Sequence, residues 1–570
     1  MEEIRKNKLE ELSKSQKHVY KYEFESPYFI HEIRQRYEKE PPEKKVTVKA
    51  TVKRVSKLED GFVLRVASDT GLEMLAYTKE TFEPNKTYNI EGVLSRVDEK
   101  LSLIDAKPTE KEPDTTIDEI KKEYDLDPNF EEISIAGRFI ALRSMGKAIF
   151  GHIQDFSGKL QIYIKKDVVG DEKFKFVEDF LDVGDIIGVK GKLFRTHTGE
   201  LTIEVFDIEL LTKALNNMPE KWHGIKDVEV KYRQRYLDLI ANESSRRVFA
   251  LRSKIIKALR EFFDRNKFME VETPILQPVA SGATAKPFVT YHNYLESELY
   301  LRIAPELYLK KLIVGGIPRV YEIGKNFRNE GVDTTHNPEF TMVEFYAAYW
   351  DYKKLIRFTE ELFDYLTEVT GIKSVETQNG VINLKPPFKV AKFFELLEEK
   401  TSKDKSFFLH HEEELKKYAQ ELGIPKAYSL SKPKLIEKVF EYTVEDELIQ
   451  PTFIIDFPKI LSPLAKTHRE DDELVERFEL YINKKEIANA YSELNDPEDQ
   501  ARRFLEQKLQ KATGDEEAME TDDDFIEALR YGMPPTAGEG IGIDRLVMLF
   551  ANVDSIRDVI LFPAARKLEQ

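Results

Sequence analysis

Two stretches of the chain repeat each other at a separation of 87 residues, and this repeat limits the possible folds more than any other feature. Val46, Val48, Ala50 and Val52 alternate with Thr47, Lys49 and Thr51, the period of a half-buried strand. A second such run starts at Ile133, Ile135, Gly137 and Phe139. At a shift of 87, Glu32-Ile33 with Tyr37 falls on Glu119-Ile120 with Tyr124, Val46 and Val48 fall on Ile133 and Ile135, and Gly71 falls on Gly158. Farther on the shift becomes 100, laying Leu101-Ser102-Leu103 under Leu201-Thr202-Ile203. Two β-rich stretches can align by chance, but a short helix, strands and a glycine all keeping register favour duplication. The repeated unit reads as a short helix followed by a five-stranded Greek-key barrel of the OB type. The boundaries this predicts are a helical N-terminal segment over 1–45, a first barrel over 46–112 and a second over 113–215. Residues 107–114 (Lys-Pro-Thr-Glu-Lys-Glu-Pro-Asp) form the linker.

After Leu215 the pattern changes. Val248, Leu251, Ile255, Ile256, Leu259, Phe262 and Phe263 have the spacing of an amphipathic helix over 244–267. From there strands and helices mix without regular βαβ alternation, which predicts an α+β domain over 216–570. A charged helical insertion is expected at about 392–446.

A chain of 570 residues exceeds what one core supports. It contains no cysteine, which excludes disulfides, thiolate metal sites and cysteine nucleophiles. No apolar run reaches the ~18 residues of a membrane helix. The start, Met1-Glu2-Glu3-Ile4-Arg5-Lys6, has no apolar segment behind its charges, so a cytoplasmic protein is expected. The net charge of −17 argues only weakly against a nucleic-acid partner, because binding depends on a local basic face.

No phosphate-loop, serine-hydrolase or zinc-helix motif is present. The glycine cluster Gly538-Glu539-Gly540-Ile541-Gly542-Ile543-Asp544-Arg545 lacks the lysine and the βαβ context of a dinucleotide site. Phosphate chemistry here must use arginines and acid-bound metal ions. Three blocks stand out in the large domain. In Phe268-Met269-Glu270-Val271-Glu272-Thr273-Pro274-Ile275-Leu276 a helix gives way to an extended strand. Phe327-Arg328-Asn329-Glu330-Gly331, His336-Asn337-Pro338-Glu339-Phe340 and the run Thr341 to Trp350 read as strand, charged loop, strand. In the third block the glycine cluster leads into Leu546-Val547-Met548-Leu549-Phe550, a strand turning into an apolar helix.

Alternation along these strands has a chemical consequence. Phe340, Met342, Glu344 and Tyr346 share one face, and Asn489, Tyr491 and Glu493 share another. Two carboxylates and two phenols converging on one cavity make a site for a cation with hydrogen-bond donors. A lysine ammonium fits such a site better than a planar guanidinium does. A lone glutamate on a strand is more often part of a structural ion-pair network; two acidic strands beside the arginine loop, together with the family resemblance described next, reverse that preference.

The three blocks resemble motifs 1, 2 and 3 of class II aminoacyl-tRNA synthetases, in the same order. Longer strings resemble the lysyl-tRNA synthetase family: Tyr232-Arg233-Gln234-Arg235-Tyr236-Leu237-Asp238-Leu239, Leu301-Arg302-Ile303-Ala304-Pro305-Glu306-Leu307-Tyr308-Leu309-Lys310 and Glu493-Leu494-Asn495-Asp496-Pro497. The similarity spans about residues 115–568. It implies an antiparallel catalytic sheet, a homodimer through motif 1, and tRNA, ATP and L-lysine as partners, with Mg2+ as cofactor. It also implies roles for individual residues. Glu344, Tyr346 and Glu493 would hold the lysine ε-ammonium, with Tyr491 in the same pocket. Glu306 and the Gly282 backbone would take the α-ammonium, and Arg328 and Asn489 the carboxylate. Arg328 would also contact the α-phosphate and Arg545 the γ-phosphate. Glu330, His336 and Phe340 would surround adenine. Glu479 and Glu486 would be the magnesium ligands, although a regular hairpin puts Glu479 opposite Asn489 and turns Glu486 away. A bulge or distorted turn near Asn483-Lys484-Lys485 is therefore predicted.

The second barrel resembles the family's anticodon-binding domain through Arg143, Met145-Gly146-Lys147-Ala148, Phe150, Gln154-Asp155, Gln161 and Thr198-Gly199-Glu200. On that match Phe150 stacks on a base while Arg143, Gln161 and Glu200 read edges; core packing of Phe150 is the competing reading. At the 87 shift, Arg143, Phe150 and Gln161 fall on Ser56, Val63 and Met74, so the first barrel keeps a framework without the base-reading groups. The chain departs from the family at Ala488, Ala490 and Tyr491, and at Glu539, where an apolar residue is usual. A paralogue that attaches lysine to protein, or an inactive RNA-binding protein, would lack the anticodon-type barrel or the arginine and glutamate set respectively.

Overall fold

The computed structural model describes residues 2–15, 45–58, 61–68, 73–97, 100–108, 132–218, 227–283, 285–512 and 521–565. The short helices expected at 32–37 and 119–124, Gly71 and most of the linker lie outside them. The chain divides into two units, Met1–Pro219 and Glu220–Gln570.

Unit 1 opens with helix α1 (Glu2–Ser15) and contains two closed five-stranded barrels. The first is built from β1 (Lys45–Leu58), β2 (Gly61–Ala67), β3 (Glu73–Thr78), β4 (Thr87–Val97) and β5 (Lys100–Pro108). The second uses β6 (Glu132–Met145), β7 (Ala148–Gln154), β8 (Lys159–Lys165), β9 (Ile186–Arg195) and β10 (Leu201–Thr212). Each follows the same cyclic strand order and closes with a parallel pair, β3 on β5 and β8 on β10. Val48, Val52, Leu64 and Val66 fill one interior, and Ile135, Phe139, Ile149 and Ile153 the other.

The repeat needs one correction. Val63 pairs with Tyr77 as Phe150 pairs with Tyr163, and Leu75 pairs with Ser102 as Gln161 pairs with Thr202. Between the paired ends Ala67 and Glu73 there is one residue more than between Gln154 and Lys159. The shift on the third strand is therefore 86, and Gln161 corresponds to Leu75 rather than Met74.

Unit 2 is organised around α2 (Glu243–Arg265) and an eight-stranded sheet. In chain order its elements begin with β11 (Met269–Glu270), β12 (Leu276–Gln277), β13 (Val289–His292), β14 (Ser297–Leu301), α3 (Glu306–Val314), β15 (Arg319–Phe327), β16 (Glu339–Ala348) and α4 (Tyr352–Thr370). They continue with β17 (Ser374–Thr377), β18 (Gly380–Asn383) and β19 (Lys389–Lys392). The insertion supplies α5 (Phe393–Thr401), α6 (Lys405–His410), α7 (Glu412–Glu421) and α8 (Lys432–Thr443). Then follow β20 (Thr452–Pro458), β21 (Leu474–Ile482), β22 (Lys485–Ser492), α9 (Pro497–Ala512), α10 (Asp523–Arg530), β23 (Thr536–Gly542) and α11 (Ile543–Ala551). The sheet order is β11-β15-β16-β23-β22-β21-β20-β19, antiparallel through its centre.

Alternation makes this sheet two-faced. Val343, Phe345, Ala347, Phe478, Leu480, Ala488, Ala490 and Ile541 point into one core beneath α2, α4 and α11. The residues between them point the opposite way, and that polar face carries the site. No helix among the described residues is long and apolar enough to cross a membrane.

Candidate active site

The polar face encloses a cavity of about 390 Å3, in the range of small-molecule sites. Its floor is β23. Gly538, Gly540 and Gly542 turn toward the cavity, and the walls follow from register. Glu344 and Asn489 flank Gly540, and Tyr346 and Tyr491 flank Gly538. A methyl group on Gly540 would sit 3.0 Å from Met342 Cε and 3.5 Å from Glu344 Cγ, so a side chain there would crowd the wall. One on Gly538 would collide with the Tyr346 ring and Glu493 Oε1. Glu539 points away from the site: both of its oxygens accept from Thr359 Oγ1, at 2.9 and 2.7 Å. Burial pushes its carboxyl up to about 8.

Glu306, Glu344, Tyr346 and Tyr491 line one end of the cavity, with Gly282 at its wall. Tyr491 donates to Glu306 Oε1 at 2.6 Å, and the Tyr346 hydroxyl lies 3.3 Å from Glu344 Oε2. Glu344 has no ion-pair partner among the described residues. Burial, then the nearby Glu306, push its carboxyl up to about 8. The structure corrects the expectation that Glu493 faces the cavity free. It lies behind the wall and is ion-paired with the fully buried Lys310, which also reaches Glu306 Oε1 at 2.6 Å. Glu493 Oε1 has no hydrogen-bond partner among the described residues. Two buried acids thus hold one resident cation, and burial, with repulsion from Glu306 and Glu344, raises Glu493 well above the usual carboxylate range against the pull of Lys310.

At the other end, Arg328 lies over the Phe340 ring at 5.1 Å, and its buried Nε has no partner among the described residues. Glu330 and His336 line the same region. Asp333 orients His336 through Nδ1 at 2.9 Å, and the remaining ring nitrogen, Nε2, lies 3.5 Å from an Arg545 nitrogen. Arg545 also donates to the Glu486 carbonyl at 2.9 Å. Asp544, beside it, accepts from Arg252 at 2.6 Å and from the Thr341 amide at 2.7 Å, bracing the start of α11 against α2 and β16.

Glu479 and Glu486 meet through the expected bulge, displaced from its expected place. Glu479 is opposite Asn489 and Leu480 opposite Ala488, but Tyr481 is opposite Glu486. Ile487 is the extra residue, and it returns Glu486 to the face of Glu479. The turn itself is tight, with positive φ at Asn483 and Lys484. Burial, and then Glu486 against the opposing pull of Arg477, push Glu479 up to about 7. Among the described residues no group of three His, Cys, Asp or Glu could hold a metal ion. Two carboxylates fit a magnesium ion that takes the rest of its shell from phosphates and water.

Arg477 and Lys310 were not singled out from sequence. Arg477 donates to Asn489 Oδ1 at 3.0 Å and Ser462 at 2.8 Å, and pairs with Glu479. Buried lysines are rare enough to flag a site once burial is seen.

In the second barrel, Phe150 alternates with buried Ile149 and Gly151 and points outward, which removes the core-packing reading. Its ring stacks on Tyr163 at 4.4 Å. Gln161 donates to Glu200 at 2.9 Å, and His152 lies 3.2 Å from the same carboxylate. Arg143 is exposed and cross-strand from Phe150. Tyr163 and His152 complete a surface that the sequence match had named only in part.

The two-faced antiparallel sheet, the arginine loop after β15 and the arginine that opens α11 define the catalytic domain of a class II aminoacyl-tRNA synthetase. Residues 227–566 match the family described as tRNA synthetases class II (D, K and N), and residues 133–211 match an OB-fold nucleic acid binding domain. The chain belongs to this class II synthetase family. It is 63% identical over 566 residues to a lysine–tRNA ligase of Aquifex aeolicus, covering 99% of this chain and 95% of that one. Lysine–tRNA ligases of Legionella pneumophila and Carboxydothermus hydrogenoformans are 53% and 52% identical over 445 and 446 residues. These alignments cover 78% and 77% of this chain, and 89% and 91% of the relatives.

Proposed function

We propose that this chain is a lysine–tRNA ligase: it activates L-lysine with ATP to the adenylate and transfers the lysyl group to the 3′ end of lysine tRNA. The observation that carries the choice of amino acid is Glu344, buried in the cavity with no ion-pair partner among the described residues. Such an acid repels aspartate and attracts an ammonium. The ε-ammonium goes to Glu344 and Tyr346, with Tyr491 closing the pocket and Glu493 behind it. Glu306 and the Gly282 backbone take the α-ammonium, and Arg328 and Asn489 take the carboxylate.

Activation needs little covalent help from the protein. The lysine carboxylate attacks the α-phosphorus in line, and the tRNA ribose hydroxyl then attacks the adenylate. Arg328 holds both reacting partners, Arg545 grips the γ-phosphate, and Glu330, His336 and Phe340 seat adenine. Positioning and charge neutralisation carry such chemistry. Magnesium held by Glu479 and Glu486 supplies neutralisation of the departing pyrophosphate. The outward Phe150, with Arg143, Gln161 and Glu200, supports anticodon reading by the second barrel.

Motif 1 and the neighbouring strands β12 to β14 expose Met269, Ile275, Leu276, Val289 and Tyr291, which supports a homodimer through that surface. A translation enzyme of this kind works in the cytoplasm. ATP–pyrophosphate exchange with a panel of amino acids tests the assignment: lysine alone should stimulate it, and stimulation by aspartate or asparagine refutes it.

A further inference from the structure

Lys310 is the most unusual group behind the pocket wall. Its side chain is fully buried, yet it belongs to no step of the reaction. It projects from α3 between Glu306, one turn earlier, and Glu493, just beyond β22. Tyr491 and Phe525 form an aromatic wall around it, with ring centres 5.4 and 5.8 Å from Nζ. Burial pulls the ammonium toward neutrality, but Glu306 and Glu493 outweigh that and hold it above the ordinary lysine value. It is therefore a permanent cation behind the wall of the amino-acid pocket.

A synthetase for a cationic amino acid gains nothing obvious from placing its own cation there, since like charge repels the substrate. Charge counting gives a reason. Glu306, Glu344 and Glu493 carry three negative charges when ionised; Lys310 cancels one and Arg328 another, leaving one. L-lysine, with two ammonium groups and one carboxylate, carries one net positive charge. Without Lys310 the ionised pocket would be left with two negative charges, one more than L-lysine neutralises.

We propose that Lys310 is a positioning and specificity-determining residue, a resident counter-ion that ties Glu493 to Glu306 and sets the pocket's charge to match one diammonium amino acid. The inference rests on lysine being the substrate. Lys310 thereby fixes Glu493 through Oε2, while Glu344 is an acid with no ion-pair partner among the described residues.

The pair gives a reciprocal test. Removing one member of a buried pair leaves the other uncompensated, whereas removing both restores neutrality. In ATP–pyrophosphate exchange, Lys310→Met and Glu493→Gln should each raise KM for lysine at least ~10-fold, with KM for ATP nearly unchanged. The double variant Lys310→Met/Glu493→Gln should recover most of that loss. A structural role alone would move melting temperature without this split between the two substrates. If Lys310→Met does not fold, the comparison of Glu493→Gln with the double variant still decides. A double variant no better for lysine than Glu493→Gln overturns the proposal, and so does an unchanged lysine KM in both single variants. Failure of the unaltered enzyme to activate lysine would instead overturn the substrate assignment.

Discussion

Glu486 reaches the same face of the sheet as Glu479 because Ile487 is an extra residue in β22. In a regular hairpin the two carboxylates would point to opposite sides, one of them into the hydrophobic core. Their shared face makes the pair suited to a hard divalent ion. Glu479→Gln and Glu486→Gln should each raise the magnesium concentration for half-maximal exchange. A magnesium titration of the two variants checks this, and unchanged midpoints would remove the pair from the metal site.

In the proposed reaction Arg328 bridges the substrate carboxylate and the α-phosphate; its Nε has no partner among the described residues and its guanidinium lies over Phe340. Losing a preorganised charge contact of this type costs at least ~10²-fold in rate. Arg328→Ala should therefore reduce adenylate formation by that factor, measured as pyrophosphate exchange at saturating ATP and lysine. A near-normal rate would exclude Arg328 from the chemistry.

The two barrels share strand order but differ on their outward faces. Phe150, His152 and Gln161 of the second correspond to Val63, Arg65 and Leu75 of the first. Phe150→Ala should weaken charging of lysine tRNA by ~1–3 kcal/mol, the scale of one base–aromatic stack. Removing residues 46–112 should leave discrimination between anticodons intact. Charging assays on wild-type and anticodon-mutated tRNA separate the two outcomes; lost discrimination in the deletion variant, with the fold retained, would show that the first barrel also reads the anticodon.

Glu539 is a buried carboxyl hydrogen-bonded to Thr359, raised to about 8 in the folded chain from an ordinary 4.5. As pH rises above 4.5, the unfolded chain loses this proton while the folded chain keeps it, so stability falls until about pH 8 and then levels off. Glu539→Gln keeps the hydrogen bond and removes the titration. It should stabilise the protein at pH 8 by on the order of a few kcal/mol and by far less at pH 5. Denaturation midpoints at the two pH values check the sign, and an equal effect at both would refute it.

Much of this was legible in the sequence because the relevant periods are short. Strand alternation placed Glu344 with Tyr346 and Asn489 with Tyr491, and the same alternation required a bulge before Glu486. The repeat showed both barrels, but the extra residue before β3 shifted the register by one and misassigned the counterpart of Gln161. Lys310 was hidden for a different reason. Four residues after Glu306 on a helix it reads as an ordinary surface pair, and its second partner, Glu493, comes close only through the tertiary fold. Glu539 stood out only as a departure from the family's apolar residue; pleating sends it to the face opposite the site, against Thr359.

The central claim is that the pocket is built to receive a cation, and the proton it holds when empty reports on this. With Glu344 raised to about 8 by burial and Glu306, the acid is mostly protonated at pH 7 and must ionise to accept an ammonium. Lysine affinity should therefore fall by up to ~10-fold per unit as pH drops below 8. The direct measurement is calorimetric titration of L-lysine at pH 7 in buffers of different ionisation enthalpy. Release of close to one proton per lysine bound, absent in Glu344→Gln, is the predicted result. Lysine binding without proton release, or aspartate binding in its place, would contradict the account.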